Sequence, residues 1–206
     1  DSYRNDSIFE TQRVVDITKS LKSFFPKTKT PLIVANIGGF SMDQNIPTKD
    51  IDSYYERFRD SLKKIDLDGV ELIPQNMAPF PWHFGGQRYQ NMFISAEEIV
   101  KYCKKLNLRI CFDISHCMLA CNHFGWDIYE FSEKVGPFTA HIHVGDASGV
   151  NGEGLQIGHG EIDFKKLGKI LTKHSPEASF IPEIWQGHKN GGEDFWIALK
   201  RLEGLL

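Results

Sequence analysis

Ile110-Cys111-Phe112-Asp113-Ile114-Ser115-His116 decides the fold: three apolar residues run straight into a carboxylate, with a histidine three positions further on. A short unbroken apolar run of this kind is what a strand buried on both faces of a parallel sheet looks like, and its terminal polar residue stands where a loop should begin. Three other segments repeat the arrangement. Residues 70–76 (VELIPQN) bring Gln75, residues 140–146 (AHIHVGD) bring His143, and residues 180–188 (FIPEIWQGH) bring Glu183 to the same kind of position. All four are residue types able to ligate a metal at the C-terminal end of a strand, which is the end where a (β/α) barrel carries its active site.

The segments between these strands have helical periodicity. Ile8, Val14, Val15, Ile17, Leu21 and Phe24 share one helix face over 7–25, and Pro26 ends that helix. A strand follows at 32–36, a loop at Gly38 and Gly39, and a helix at 52–65 with Tyr54, Tyr55, Phe58, Leu62 and Ile65 in a stripe. The strand at 69–75 leads into a long loop and then a helix opened by Ser95 and Glu98, the spacing of a capping box. Strands at 108–113, 139–145 and 179–183 are each followed by a helix, at 126–135, 163–173 and 193–206.

Strict alternation of this sort predicts parallel α/β architecture. A closed eight-stranded barrel takes about 250 residues, so a chain of 206 residues that opens on Asp1 is short by roughly three βα units. The expectation is a TIM-barrel-like (β/α) domain over 1–206, a partial barrel of about five parallel βα units corresponding to strands four to eight. It would be the C-terminal part of a larger barrel or chain, or one of two copies that complete each other. A five-stranded doubly wound sheet is the alternative.

Composition bounds the function class. The chain is 41% hydrophobic and 25% charged, with a formal net charge of -3 and a pI near 6.3, so no general basic field invites nucleic acid. No apolar run of ~18 residues and no charged-then-apolar N-terminus occurs, so neither a membrane partner nor a secretory signal is expected, and the expected location is cytoplasmic. Cys103, Cys111, Cys117 and Cys121 lack the second pair that a cysteine zinc site needs, and read as reduced buried thiols.

The strings DISH at 113–116, HIHVGDA at 141–147, IGHGEIDF at 157–164 and PEIW at 182–185 together resemble the xylose-isomerase-like TIM barrels. That group joins sugar isomerases and epimerases with the endonuclease IV type of apurinic endonuclease. QNMAPFPWHFGG at 75–86 is similar to the family's loop after strand five. The resemblance implies one divalent ion (Mn, Mg, Co or Zn) held by Glu, Asp, His and Glu from four successive strands. Three of these fall on Asp113, His143 and Glu183, and the first falls on Gln75. Carboxylates and an imidazole suit a borderline-hard ion that also accepts sugar oxygens. Gln75 can offer an amide oxygen to a metal but cannot carry a proton, which counts against a symmetric two-glutamate epimerisation.

Further expectations attach to single residues. Glu71 lies four residues before Gln75, about 13 Å deeper at ~3.3 Å per residue, and Arg109 has the same relation to Asp113, so a buried Glu71–Arg109 ion pair is expected near the barrel floor. His143, nearer the strand end and followed by Asp146, is preferred to His141 as the ligand. The resemblance makes His116 a substrate or metal contact, and Glu183 and His116 are the candidate catalytic residues. Asn36, Asn76, Trp82, His116, Asp146, Glu153 and Trp185 are candidate substrate contacts, with Phe84 a further aromatic on the same loops. Glu153 stands where related epimerases often carry an arginine, which favours a neutral or amino sugar over a phosphorylated one.

The resulting expectation is a metal-dependent sugar isomerase or epimerase that removes a proton next to a metal-bound carbonyl. A non-catalytic or regulatory sugar-binding barrel of a larger enzyme is the second reading. A DNA-repair phosphodiesterase is the third, and it lacks the Asp-x-His its zinc cluster needs, since Gly152-Glu153-Gly154 stands at that point.

Overall fold

The computed structural model describes residues 2–83 and 85–205. Five parallel strands form its frame: β1 (Leu32–Ala35), β2 (Glu71–Pro74), β3 (Ile110–Asp113), β4 (Thr139–Val144) and β5 (Ser179–Pro182). β1 pairs with β2, with Leu32 opposite Glu71, while β3 and β5 both pair with β4. The two blocks meet through a parallel bridge from Gln75 to Cys111 and the Asn76 N–H donating to the Cys111 carbonyl. Spatial order therefore follows chain order throughout. A doubly wound sheet would reverse its order at a switch point, so the singly wound arrangement of a barrel wall is the one adopted.

Helices intervene at each crossover: α1 (Ser2–Leu21), α2 (Thr48–Leu62), α3 (Ala96–Leu106), α4 (Ile114–Phe124), α5 (Ile128–Val135), α6 (Phe164–His174) and α7 (Glu193–Leu202). They cover the outer face of the sheet, where Tyr55, Phe93, Ile99, Phe112, Phe131 and Leu167 belong to one buried cluster. Ile73, Cys111 and Ala140 form a separate cluster from alternate strand positions. α3 starts as expected: the Glu98 N–H donates to Ser95 Oγ, and the Glu98 carboxylate accepts from the Ile94 N–H.

The wall does not close among the described residues. β1 and β5 each have one strand partner, and Phe180 and Ile181 on β5 are 42% and 46% exposed. This changes one expectation. Arg109 Nε does donate to Glu71 Oε1 at 2.8 Å, but the pair is open to water, with the Arg109 side chain half exposed, because among the described residues no opposite wall covers the inner face of the strands.

A second difference decides the site. The apolar run ending at Asp113 predicts a loop there, whereas α4 begins at Ile114 with Asp113 as its N-cap, its Oδ1 accepting from the His116 N–H at 2.8 Å. An aspartate at this position satisfies an otherwise orphaned amide of the first turn, so β3 passes into α4 with no intervening loop.

A candidate metal centre and its cleft

The C-terminal ends of β2 to β5 bring Gln75, Asp113, His143 and Glu183 together. Ligand atoms of Asp113, His143 and Glu183 all lie within 4.8 Å of one another. His143 Nδ1 is 2.6 Å from Glu183 Oε2 and 3.7 Å from Asp113 Oδ2. Gln75 Nε2 donates to Asp113 Oδ2 at 2.7 Å and approaches the Nδ1 atoms of His116 and His143 at 3.4 Å. Asp113 is buried, while the Glu183 side chain is 53% exposed and reaches the cleft.

The charges in this group are strongly coupled. Burial works to lower the basicity of His143, but its hydrogen bonds to Asp113, Cys111 and Glu183 outweigh that and push it up to about 12. His116 is likewise opposed by burial and raised to about 9 by Asp113 and then Glu153. Burial favours the neutral form of Asp113, yet the neighbouring imidazoles hold its carboxyl below the usual carboxylate range. Without an ion, the carboxylates are balanced by protons on imidazole.

Such a donor set fits a divalent ion. Two carboxylates and an imidazole converge on one point with a surplus of negative charge, the ligand chemistry that Mn, Zn, Co or Mg sites share. Gln75 turns its Nε2 toward this set and adds no charge to it.

A cleft of about 460 Å³ opens beside this group, lined by Asp113, His116, Glu153, Glu183, Trp185 and Lys189 among others. His116 is oriented by its Nδ1, 3.1 Å from the Asn76 carbonyl, while its Nε2 lies 3.6 Å from Glu153 Oε2. Trp185 is 69% exposed at the rim. Ser115, Gln186, His188 and Lys189 also line the cleft and were not singled out in the sequence. Ser115 lies within DISH and was within reach; the other three belong to a loop whose path the sequence does not fix.

Four proposed substrate contacts are placed elsewhere. Asn76 is buried with both ends of its amide on one peptide, Nδ2 donating to the Asp113 carbonyl and Oδ1 accepting from the Asp113 N–H. It is a strap between β2 and β3. Asp146 is fully buried and accepts from the N–H groups of Ala147, Gly158, Gly160 and Ile162, so it clamps the following loop. Asn36 caps its own turn by accepting from the Gly38 N–H and lines a different cavity, between α1 and α2. Trp82 is exposed on a two-residue strand, Trp82–His83, and is not part of the cleft lining. Phe84 lies outside the described residues.

His141, beside His143 on β4, has its Nδ1 2.7 Å from Ser179 Oγ and does not join the cluster. The four cysteines are free and buried. No described helix is long and apolar enough to cross a membrane.

Comparison with known proteins places this geometry. Residues 4–202 match the family model described as xylose isomerase-like TIM barrel. Among solved structures, the IolI protein with a bound zinc atom is similar at a TM-score of 0.75 and 15% identity, over 100% of this chain and 70% of that one. A xylose isomerase domain protein from Planctomyces limnophilus gives 0.67 and 18% over 99% and 66%. A D-tagatose 3-epimerase-like protein gives 0.61 and 20% over 85% and 63%. The chain thus spans about two thirds of the length of these structures. No protein of curated function matches it in sequence.

Proposed function

The chain belongs to the xylose isomerase-like TIM barrel family, and we propose that it serves a divalent-metal-dependent sugar isomerase or epimerase acting by proton abstraction next to a carbonyl. The observation that carries this reading is the convergence of Asp113, His143 and Glu183 at the rim of an open cleft. A bound ion would supply polarisation of the substrate carbonyl and stabilisation of the negative charge that develops on its oxygen.

The chain's own residues would divide the remaining work. Glu183, half exposed and reaching the cleft, is placed to accept a proton from the carbon next to that carbonyl. His116, held through Nδ1, presents Nε2 to the substrate. Trp185 offers an apolar face to the C–H side of a sugar at the rim. Glu153 favours a neutral or amino sugar over a phosphorylated one.

Gln75 supports a second reading, a sugar-binding barrel without turnover, because the site has lost one carboxylate. One experiment separates the two. Wild type and an Asp113→Ala/His143→Ala variant are analysed for bound metal after incubation with manganese or zinc, and the wild type is then screened against neutral ketoses. About one ion per chain, lost in the variant, together with turnover supports the enzyme. Metal with sugar binding but no turnover supports the binding barrel, and no metal in either protein sinks the enzyme reading.

We infer that the outer edges of β1 and β5, unpaired among the described residues, are covered in a barrel completed by about three further βα units, with a second copy of the chain as the competing arrangement. Sedimentation of the 206-residue chain as a defined dimer would favour the second copy. Four free thiols fit a reducing compartment such as the cytoplasm, and a fractionation that recovers the protein outside the cell would overturn that placement.

A further inference from the structure

An amide at position 75 leaves the site with a proton carrier at one end of the ligand arc, Glu183, and none at the other. Gln75 Nε2 is engaged by Asp113, and the residue is not among those lining the cleft. Inverting a carbon by proton transfer needs a group on each of its faces.

The cleft does contain another carboxylate. Glu153 lies in the strand Gly152–Leu155, which pairs antiparallel with Asp146–Ser148. The pairing is irregular between Gly152 and Leu155, the interval that holds Glu153 and Gly154. Irregularities of this kind re-aim side chains beside active sites, and this one is held from both sides. The Gly154 N–H donates to Ser115 Oγ at 2.8 Å, and the Trp185 N–H donates to the Gly154 carbonyl at 2.7 Å.

Ser115 follows Asp113 by two residues and Trp185 follows Glu183 by two, so the frame that places the metal ligands also places Glu153. Gly154 has φ +64°, and a Cβ there would meet the Trp185 nitrogen at 3.1 Å, so a glycine allows the close approach. The Glu153 side chain is 33% exposed, with Oε2 3.6 Å from His116 Nε2. Glu153 and Glu183 therefore both line the same cleft.

We propose that Glu153 is the second proton-transferring carboxyl of the site, acting on the substrate face opposite Glu183. This rests on reading the cleft as a proton-abstraction site. Glu183 takes the proton from the carbon beside the carbonyl; the C–H electron pair moves into the C–C bond, and the carbonyl pair moves onto oxygen. In the turnover form that carries a proton on Glu153, this carboxyl gives it to the same carbon from the other face while the carbonyl re-forms. One C–H bond breaks and one forms, with no net oxidation. Glu183 ends protonated and Glu153 ionised, and both reset by exchange with water, to which their side chains are 53% and 33% exposed. The reverse reaction exchanges their roles.

The test uses manganese-loaded protein with D-tagatose and D-psicose as probes in D2O, followed by NMR. Wild type should invert the carbon next to the carbonyl and install one solvent deuteron. In Glu153→Gln, inversion should fall about 10²–10⁴-fold, the usual contribution of a positioned acid or base. Deuterium exchange without inversion should continue, and the manganese content should match wild type. Glu183→Gln should lose both exchange and inversion. Inversion by Glu153→Gln at the wild-type rate overturns the proposal. So does a parallel fall of exchange and inversion, which would make Glu153 a counter-ion of His116. Absence of exchange in fully loaded wild type sinks the enzyme reading, and this proposal with it.

Discussion

Glu183 Oε2 lies 2.6 Å from His143 Nδ1, on the side of the imidazole that faces Asp113. In the metal-free protein this contact is a carboxylate holding an imidazolium, with His143 pushed up to about 12. The same nitrogen must lose its proton to become a ligand. Metal binding near neutral pH is therefore expected to release about one proton per ion and to weaken as pH falls. Titration calorimetry in two buffers of different ionisation enthalpy measures the number directly. A value near zero would mean that His143 is already neutral or does not ligate.

Gln75 makes a two-sided prediction. A carboxylate at this position would stand against Asp113, whose Oδ2 now accepts from the Gln75 amide at 2.7 Å. With no ion present, Gln75→Glu should be less stable than wild type, because two like charges would meet with less donor support. With an ion present the added charge is attractive. Unit charges 4 Å apart interact by ~4 kcal/mol at an effective dielectric of 20, which sets the scale of the attraction, and desolvation of the added carboxylate offsets part of it. Metal affinity should rise tenfold or more by calorimetry while the unfolding midpoint in chelator falls. Movement of both quantities in the same direction would place residue 75 outside the ligand set.

The imidazole protons also set a pH dependence for the metal-free protein. His116 binds its proton more tightly folded, at about 9, than at the ordinary 6.5 of the unfolded chain. Its contribution is complete below about pH 6.5 and is lost as pH rises through about 9. That rise corresponds to roughly 3 kcal/mol at most. Urea unfolding in chelator should accordingly report lower stability at pH 9 than at pH 6.5, and His116→Asn should reduce the difference, the remainder coming from His143, which also keeps its proton in the folded state across this range. Equal stability of the wild type at both values would contradict the charged state of this group.

The strands that build the site are legible because each is a short apolar run or alternation that brings a polar residue to its C-terminal end, so Gln75, Asp113, His143 and Glu183 can be found without knowing how the strands pair. Chain order equals spatial order, which makes alternation alone a sufficient guide to the parallel wall. The rest depends on partners that lie far away in sequence. Asn76 reads as a hydroxyl binder until its amide is seen spanning the Asp113 peptide from 37 residues away. Asp146 reads as a substrate contact until its loop folds back over it. α4 is not evident in the sequence because Asp113 ends a strand and caps a helix at once, and the apolar run before it marks only the strand. The water-exposed Glu71–Arg109 pair reflects the open wall, a property of no single segment.

Asp146 gives the last prediction, one in which structure and site are coupled. Its two oxygens accept four backbone N–H groups between Ala147 and Ile162, and the residue is fully buried. Gly160 packs so closely that a Cβ would meet Asp146 Oδ1 at 2.3 Å, leaving no room for the loop to shift inward. Removing an acceptor from buried donors costs about 1–3 kcal/mol for each group left unsatisfied, so Asp146→Ala should lose several kcal/mol. Asp146→Asn retains one acceptor and should lose less. The clamped segment contains the strand that carries Glu153. Hydrogen exchange should therefore rise across 147–162 in Asp146→Asn, while the β2 and β3 amides remain protected and metal content is unchanged. Protection lost equally in all these segments would make Asp146 a determinant of the whole fold and not of the loop beside the cleft.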